Sequence, residues 1–246
     1  RYGVPLFYRS HNIEHRYMRG QVSRATSLRD RLAWSMNLPH LRRVEFDAWR
    51  QAEVVFDISM DDLAWWREQG FAQGVWLPPL VNPEKASQLR AAWGQPPAFE
   101  VAYLGNLRTP KNVEGVLWFL REVWPLVRQQ QPGARMLLAG SAPALAIEDA
   151  VKASPGVVLR PNPPDVVPVL RDARVLVNPI FGGSGVNVKS VEMLFAPARL
   201  VSSPQGVAGL PEAVSRCFAV ATDASAFAQA VLQALQDGAL HGAELA

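Results

Sequence analysis

Arg174-Val175-Leu176-Val177-Asn178-Pro179, followed by Phe181-Gly182-Gly183-Ser184-Gly185-Val186-Asn187-Val188-Lys189-Ser190-Val191-Glu192, decides how the rest of this chain is read. The first run is apolar and rich in valine, as a buried strand is. Beyond the glycines, Val188, Val191, Glu192, Leu194 and Phe195 read as a helix. A strand, a glycine turn and a helix start in succession gather free backbone N–H groups around one anion-sized concavity. Three glycines within residues 182–185 let that backbone approach a phosphate without interference from Cβ atoms. Lys189 adds a mobile positive charge. Glu192, three residues on and on nearly the same helix face, is placed to accept hydrogen bonds from sugar hydroxyls. A tight strand-to-helix turn without a ligand is the alternative reading of the same residues.

Working outward, short apolar runs bounded by turn residues recur at 5–9, 53–59, 74–77, 100–105, 134–140, 156–160, 174–179, 199–203 and 217–222. Most are apolar on both faces, as parallel strands covered by helices are. Between many of them lie helical patterns. Val113, Val116, Leu117, Leu120, Trp124 and Val127 make one apolar stripe, in which Pro125 is expected to kink or unwind the helix. Alternating strands and helices give a doubly wound α/β fold. Three prolines in Leu77-Pro78-Pro79-Leu80-Val81-Asn82-Pro83 read as a stiff connector. The expected organisation is therefore a first domain over 1–79, a linker over 80–98 and a second domain over 99–246.

The 246 residues are 49% hydrophobic and 19% charged, enough for one large or two small cores. The single cysteine, Cys217, rules out a disulfide framework and reads, between apolar neighbours, as a core thiol. No apolar run approaches the roughly 18 residues needed to span a bilayer. The chain starts at Arg1 and reads as part of a longer polypeptide. Its net charge of +3 is uneven: residues 1–50 hold ten arginines against Glu14, Asp30, Glu45 and Asp47, so +6, leaving −3 for the remainder. Such a segment suits anionic lipid headgroups or a phosphorylated substrate, and it carries no nucleic-acid-binding motif. His15, His40 and His241 show no metal-ligand spacing, and there is no Asp-x-Asp. Asp61-Asp62 reads as the acidic first turn of a helix capped by Ser59, with one of Trp65 and Trp66 in the core and the other at the surface.

A second candidate phosphate loop follows the strand at 100–104: Gly105-Asn106-Leu107-Arg108-Thr109-Pro110-Lys111-Asn112. In open α/β sheets ligands sit beyond the carboxyl ends of strands where the winding reverses. If this strand lies beside that of 174–179, Lys111 meets a diphosphate held by residues 182–187.

With these motifs the chain resembles the retaining, nucleotide-sugar-dependent glycosyltransferases of the two-Rossmann-domain GT-B fold, in the group called family 4. The likeness rests on Arg9-Ser10-His11-Asn12-Ile13-Glu14, Gly105-Asn106-Leu107 leading to Lys111, Asn112-Val113-Glu114-Gly115-Val116, the 181–192 loop, and Ser202-Ser203-Pro204-Gln205-Gly206-Val207-Ala208-Gly209-Leu210. It implies a complete C-terminal Rossmann-like donor domain and, in 1–79, only the latter part of an N-terminal acceptor-side domain. It further implies a donor site of Gly105, Asn106, Lys111, Gly182, Gly183, Ser184, Gly185, Val186, Asn187, Lys189 and Glu192. His11 and Glu192 are its implied catalytic residues, His11 facing the donor sugar and Glu192 the nucleotide ribose. The implied donor is a nucleoside-diphosphate sugar, with no cofactor and no metal, and the acceptor a glycan or a lipid-linked molecule. A cytoplasmic protein in peripheral contact with anionic membrane, active only within the longer parent, completes the expectation. Two departures stand out: many relatives carry Gly-Arg-Leu where this chain has Gly105-Asn106-Leu107, and a glutamate where it has Ser184. A fold-retaining module without turnover, binding nucleotide sugar or scaffolding, is the rival these departures suggest.

Overall fold

The computed structural model describes residues 4–24, 27–183 and 185–237. They divide into two compact units: one of 1–79 with 183–186 and 208–211, the other of 80–182, 187–207 and 212–246.

In the first unit, β1 (Phe7–Ser10) leads through α1 (Glu14–Arg24) and the long α2 (Leu28–Gln51) to β2 (Val54–Asp57), α3 (Met60–Glu68) and β3 (Gly74–Trp76). The strands form a parallel sheet in the order β1-β2-β3. Its core is aromatic: Trp49 of α2 stacks on Trp66 of α3 at 4.5 Å between ring centroids, over Ile13, Val55 and Leu63. Trp65, one position earlier, is only partly buried, so the adjacent pair splits between core and surface as their 100° separation requires. Ser59 caps α3, its hydroxyl accepting from the Asp62 N–H at 3.1 Å. The start of α1 is held from α2: the Glu45 carboxylate accepts the N–H groups of Glu14 (2.6 Å) and His15 (2.9 Å) and meets His15 Nδ1 at 2.6 Å. His15 is thereby a core residue; His241 lies outside the described residues.

The second unit starts with α4 (Pro83–Ala91), whose Leu89 is wholly buried, so the segment 80–98 is part of a packed body and more than a connector. It continues β4 (Phe99–Asn106), α5 (Pro110–Trp118), a π-helical turn (Phe119–Val123), α6 (Trp124–Gln130), β5 (Met136–Ser141), α7 (Leu145–Lys152), β6 (Val157–Pro161), α8 (Val167–Arg171) and β7 (Ala173–Asn178). Then come α9 (Val188–Met193), β8 (Arg199–Ser202), α10 (Pro204–Val207), α11 (Glu212–Ser215), β9 (Phe218–Val220) and α12 (Ala224–Gln236). The π-turn sits just before Pro125, which has no N–H to continue the regular ladder. All six strands are parallel, in the order β6-β5-β4-β7-β8-β9. That is the doubly wound order in which the winding reverses between the first and fourth strands. Val101, Leu138 and Val175 from the sheet pack with Phe119, Trp124, Phe227 and Val231 from the helices.

Candidate functional site

The reversal point falls between β4 and β7, which are hydrogen-bonded neighbours (Val101 opposite Val175), so the loops leaving them start side by side. Gly115 brings α5 up against the segment that follows β7. A Cβ there would lie 1.7 Å from the Pro179 carbonyl oxygen, so no other residue fits without moving the helix. Lys111, in the first turn of α5, is thereby carried toward the segment after β7. Asn106 does something other than offer charge. Its Oδ1 accepts the N–H groups of Arg108 (2.9 Å) and Thr109 (3.2 Å), and its carbonyl accepts from Asn112 Nδ2 at 2.9 Å. The side chain thus shapes the turn that delivers Lys111, in the manner of an Asx turn.

Lys189 departs from the expectation of a mobile charge. Its Nζ donates to the Tyr103 hydroxyl at 3.1 Å and lies 4.3 Å from the centre of that ring. Burial, with Lys111 nearby, pulls its pKa down to about 7. The residue as a whole is half-buried, and its ammonium lies against Tyr103. Burial likewise pushes the Tyr103 hydroxyl well above its usual range, so it stays neutral. Glu192 is paired: its carboxylate meets Lys85 Nζ of α4 at 2.8 Å, with both side chains partly exposed. Tyr103 and Lys85, respectively 86 and 107 positions from their partners, are site residues that sequence reasoning misses.

Beneath the loop lies a knot of fully buried polar groups. Asn178 Nδ2 donates to Ser190 Oγ (2.8 Å), which donates to the Gly206 carbonyl (2.6 Å). Ser202 Oγ donates to the Asn178 carbonyl (3.2 Å), and Ser203 Oγ accepts from the Ile180 N–H (2.9 Å) while donating to the Ile180 carbonyl. These bonds fasten the end of β7, the start of α9 and the end of β8 together. The one available signal is an asparagine ending an otherwise apolar strand. Of the loop itself, Gly182 and Asn187 belong to the second unit, and Gly183, Gly185 and Val186 to the first; Ser184 lies outside the described residues. Gly183 and Gly185 have φ of 129° and 68°, which favours glycine at both. Because α9 has only six residues, its dipole is a smaller contributor to an anion site than the lysines are.

Within the first unit, His11 is exposed, and a Cβ on Gly185 would lie 2.7 Å from the His11 carbonyl oxygen. His11 and this part of the glycine loop are therefore neighbours. The segment 208–211 docks on the start of α3: Gly209 N–H donates to Asp61 Oδ2 (2.8 Å) and Met60 N–H to the Gly209 carbonyl (2.9 Å). Burial and the neighbouring Asp57 carboxylate push Asp62 up to about 7. The arginines are partly engaged: Arg16 lies over Trp65, Arg42 over Phe46, and Arg43 near Asp47 at 3.7 Å. Arg19 is exposed, and the side chain of Arg24 lies outside the described set. Cys217 is exposed, against expectation, because it precedes an edge strand of which only Phe218 turns inward. It lines a cavity of about 570 Å³ with Trp93, Leu200 and Phe218, at the amino ends of β8 and β9 and so away from both loops.

Comparison with known proteins identifies the family and the fold. The family described as glycosyl transferases group 1 matches residues 98–237, more than half of the chain. A Klebsiella pneumoniae protein described as an uncharacterized 44.6 kDa protein in the cps region is 24% identical over 171 residues, covering 65% of this chain and 43% of its own. Among solved structures, WaaG, a glycosyltransferase involved in lipopolysaccharide biosynthesis, superposes with TM-score 0.63 at 12% identity over 95% of this chain and 67% of its own. Anabaena HepE, in complex with UDP and glucose, gives 0.56 at 16% identity over 95% and 62%. A Burkholderia vietnamiensis trehalose-phosphate synthase gives 0.62 at 13% over 95% and 61%. The chain thus spans less than half of the curated relative and about two thirds of these structures.

Proposed function

The chain belongs to the group 1 glycosyltransferases, and from that premise we propose that it supplies the donor-binding half of an enzyme that moves a sugar from a nucleoside-diphosphate sugar to an acceptor. The observation that carries the reading is Lys189, held against Tyr103 of β4 with Lys111 of α5 nearby, beside the reversal point of a doubly wound sheet. Two cations there offset the charge that develops on a departing diphosphate, which is the main electrostatic demand of the reaction. With that charge met by side chains, the transfer runs without a metal. Glu192, held by Lys85, has an oxygen left for the ribose. Asn106, occupied with its own loop, acts on the donor through Lys111, and Gly105, Gly182 and Asn187 provide close backbone approach. His11, against Gly185, suits a sugar hydroxyl contact. Transfer with retention is the course implied by the family resemblance. UDP in HepE makes UDP the first probe. Calorimetry with UDP, GDP and ADP and their glucose or mannose esters tests the reading: micromolar binding of one base is expected, and no binding of any overturns it.

We further infer a glycan or lipid-linked acceptor and peripheral contact with anionic lipid at the cytoplasmic face. Support comes from α2, where Leu28, Leu32 and Met36 recur every four residues on one face and are 80, 65 and 73% exposed, with exposed Arg29 and Arg31 beside them. No helix among the described residues is long and apolar enough to cross a membrane. Flotation with vesicles containing anionic lipid at low salt, lost at high salt or with neutral vesicles, is the expected result. Equal binding to both vesicle types, or to neither, refutes the contact.

A further inference from the structure

Lys189 is chemically odd for a residue meant to hold an anion. Among the described residues its ammonium has no carboxylate partner; it has a neutral hydroxyl, the face of an aromatic ring and another cation nearby. A carboxylate partner would keep a lysine charged permanently. A tyrosine hydroxyl serves both forms, since it donates to a neutral amine and accepts from an ammonium. Tyr103 is itself fixed: it is 1% exposed in the core of the sheet, and a Cβ on Gly105 would come within 2.7 Å of its oxygen. The hydroxyl therefore has one position, directly under the backbone of Gly105, where the loop after β4 begins.

We propose that Tyr103 is a positioning residue that presents Lys189 to the donor diphosphate, and that Lys189 takes up a proton as the diphosphate binds. This rests on the donor-site reading above and adds to it a mechanism for charge. Before binding, Lys189 sits desolvated against Tyr103 with the charge of Lys111 nearby, and it sheds its proton at modest cost. A diphosphate reverses that balance, because each of its oxygens stabilises the ammonium form. Its negative charge is then met by a cation that appears only when the donor is present. The groups facing Lys189 are Tyr103 from β4 and Lys111 from α5; Glu192 on its own helix is engaged by Lys85. Burial and Lys111 set the ligand-free lysine near pH 7, so above that pH binding must import a proton.

The test is calorimetry of the 246-residue chain with UDP between pH 7 and 9, in two buffers of different ionisation enthalpy. Uptake is read near pH 8, where UDP's own protons do not move: its terminal phosphate loses its last proton at about pH 6, and the uracil N3–H is lost only at clearly more alkaline pH. The expected result is uptake approaching one proton per UDP at pH 8, with affinity falling toward tenfold per pH unit. Lys189→Met should abolish the uptake. Tyr103→Phe should keep the thermal midpoint within a few degrees yet move the pH midpoint of binding downward, since an ammonium loses more than an amine when its acceptor goes. Binding without proton uptake overturns the linkage and leaves the donor site standing. Uptake that persists in Lys189→Met assigns the proton elsewhere and overturns the role of Lys189. An unchanged pH profile in Tyr103→Phe overturns the positioning role. Failure of UDP, the other nucleotides and inorganic pyrophosphate to bind removes the donor site and this proposal with it.

Discussion

Replacing Gly115 by alanine tests the geometry that joins the two loops. The added methyl would sit 1.7 Å from the Pro179 carbonyl oxygen, whereas real contacts of this kind essentially never fall below 3.0 Å. Relief needs a separation of about 1.3 Å, the difference between those figures, along a direction where backbone faces backbone and neither side can rotate away. Overpacking of this kind costs on the order of 3 kcal/mol. In a unit of this size that is a drop of roughly 6–12 °C in Tm, at about 2–4 °C per kcal/mol. Because the strain is relieved by moving α5, Lys111 should move with it. Displacing a charge contact by about 1 Å weakens nucleotide binding in addition to the fold, by roughly tenfold or more. Gly133→Ala is the control, since nothing lies within 4 Å of a Cβ there. Thermal melts of both variants, with UDP titrations below their transitions, are the assay. A Gly115→Ala protein with wild-type Tm and wild-type affinity would show that α5 does not rest on the segment after β7, and the argument for a shared site would fail.

Lys111→Ala should weaken binding of the preferred nucleoside diphosphate by about 1–3 kcal/mol, read by calorimetry, while leaving Tm nearly unchanged; unaltered affinity would move the diphosphate elsewhere. Asp62, facing Asp57, Asp61 and Arg16, carries a pKa raised from 3.8 to about 7, so the folded chain takes up its proton before the unfolded chain does. Its carboxylate therefore costs stability above pH 7, and that cost is relieved as pH falls through 7 toward 3.8. Asp62→Asn should then raise Tm at pH 8 by an amount worth on the order of a few kcal/mol and have little effect near pH 4; a pH-independent change would contradict the buried charge.

Strand positions are the most legible part of this chain, since each of the nine apolar runs is closed by a turn residue at or just after its end and none has a helical period. The reversal point is legible too, because a glycine loop after an apolar strand and a second phosphate-like loop must meet somewhere in a doubly wound sheet. What the sequence hides is pairing across long separations. Lys189 reads as a surface cation until Tyr103 is folded over it, and Glu192 reads as free until α4 brings Lys85 alongside. Cys217 misleads because apolar neighbours do not tell an edge strand from a central one. Asn106 occupies a position where charge is expected, and only its hydrogen bonds show that it builds the turn.

The buried knot of Asn178, Ser190, Ser202 and Ser203 also bears on how this loop can diverge. Removing the Ser190 hydroxyl leaves Asn178 Nδ2 without its acceptor, and removing that of Ser203 leaves the Ile180 N–H without one, at about 1–3 kcal/mol per orphaned group. Single substitutions at Ser190 or Ser203 thus carry a stability penalty that a joint replacement of both partners can avoid. The exposed residues above the knot are under no such constraint. Selection can therefore retune donor preference at the surface of the loop while its foundations are inherited as a block.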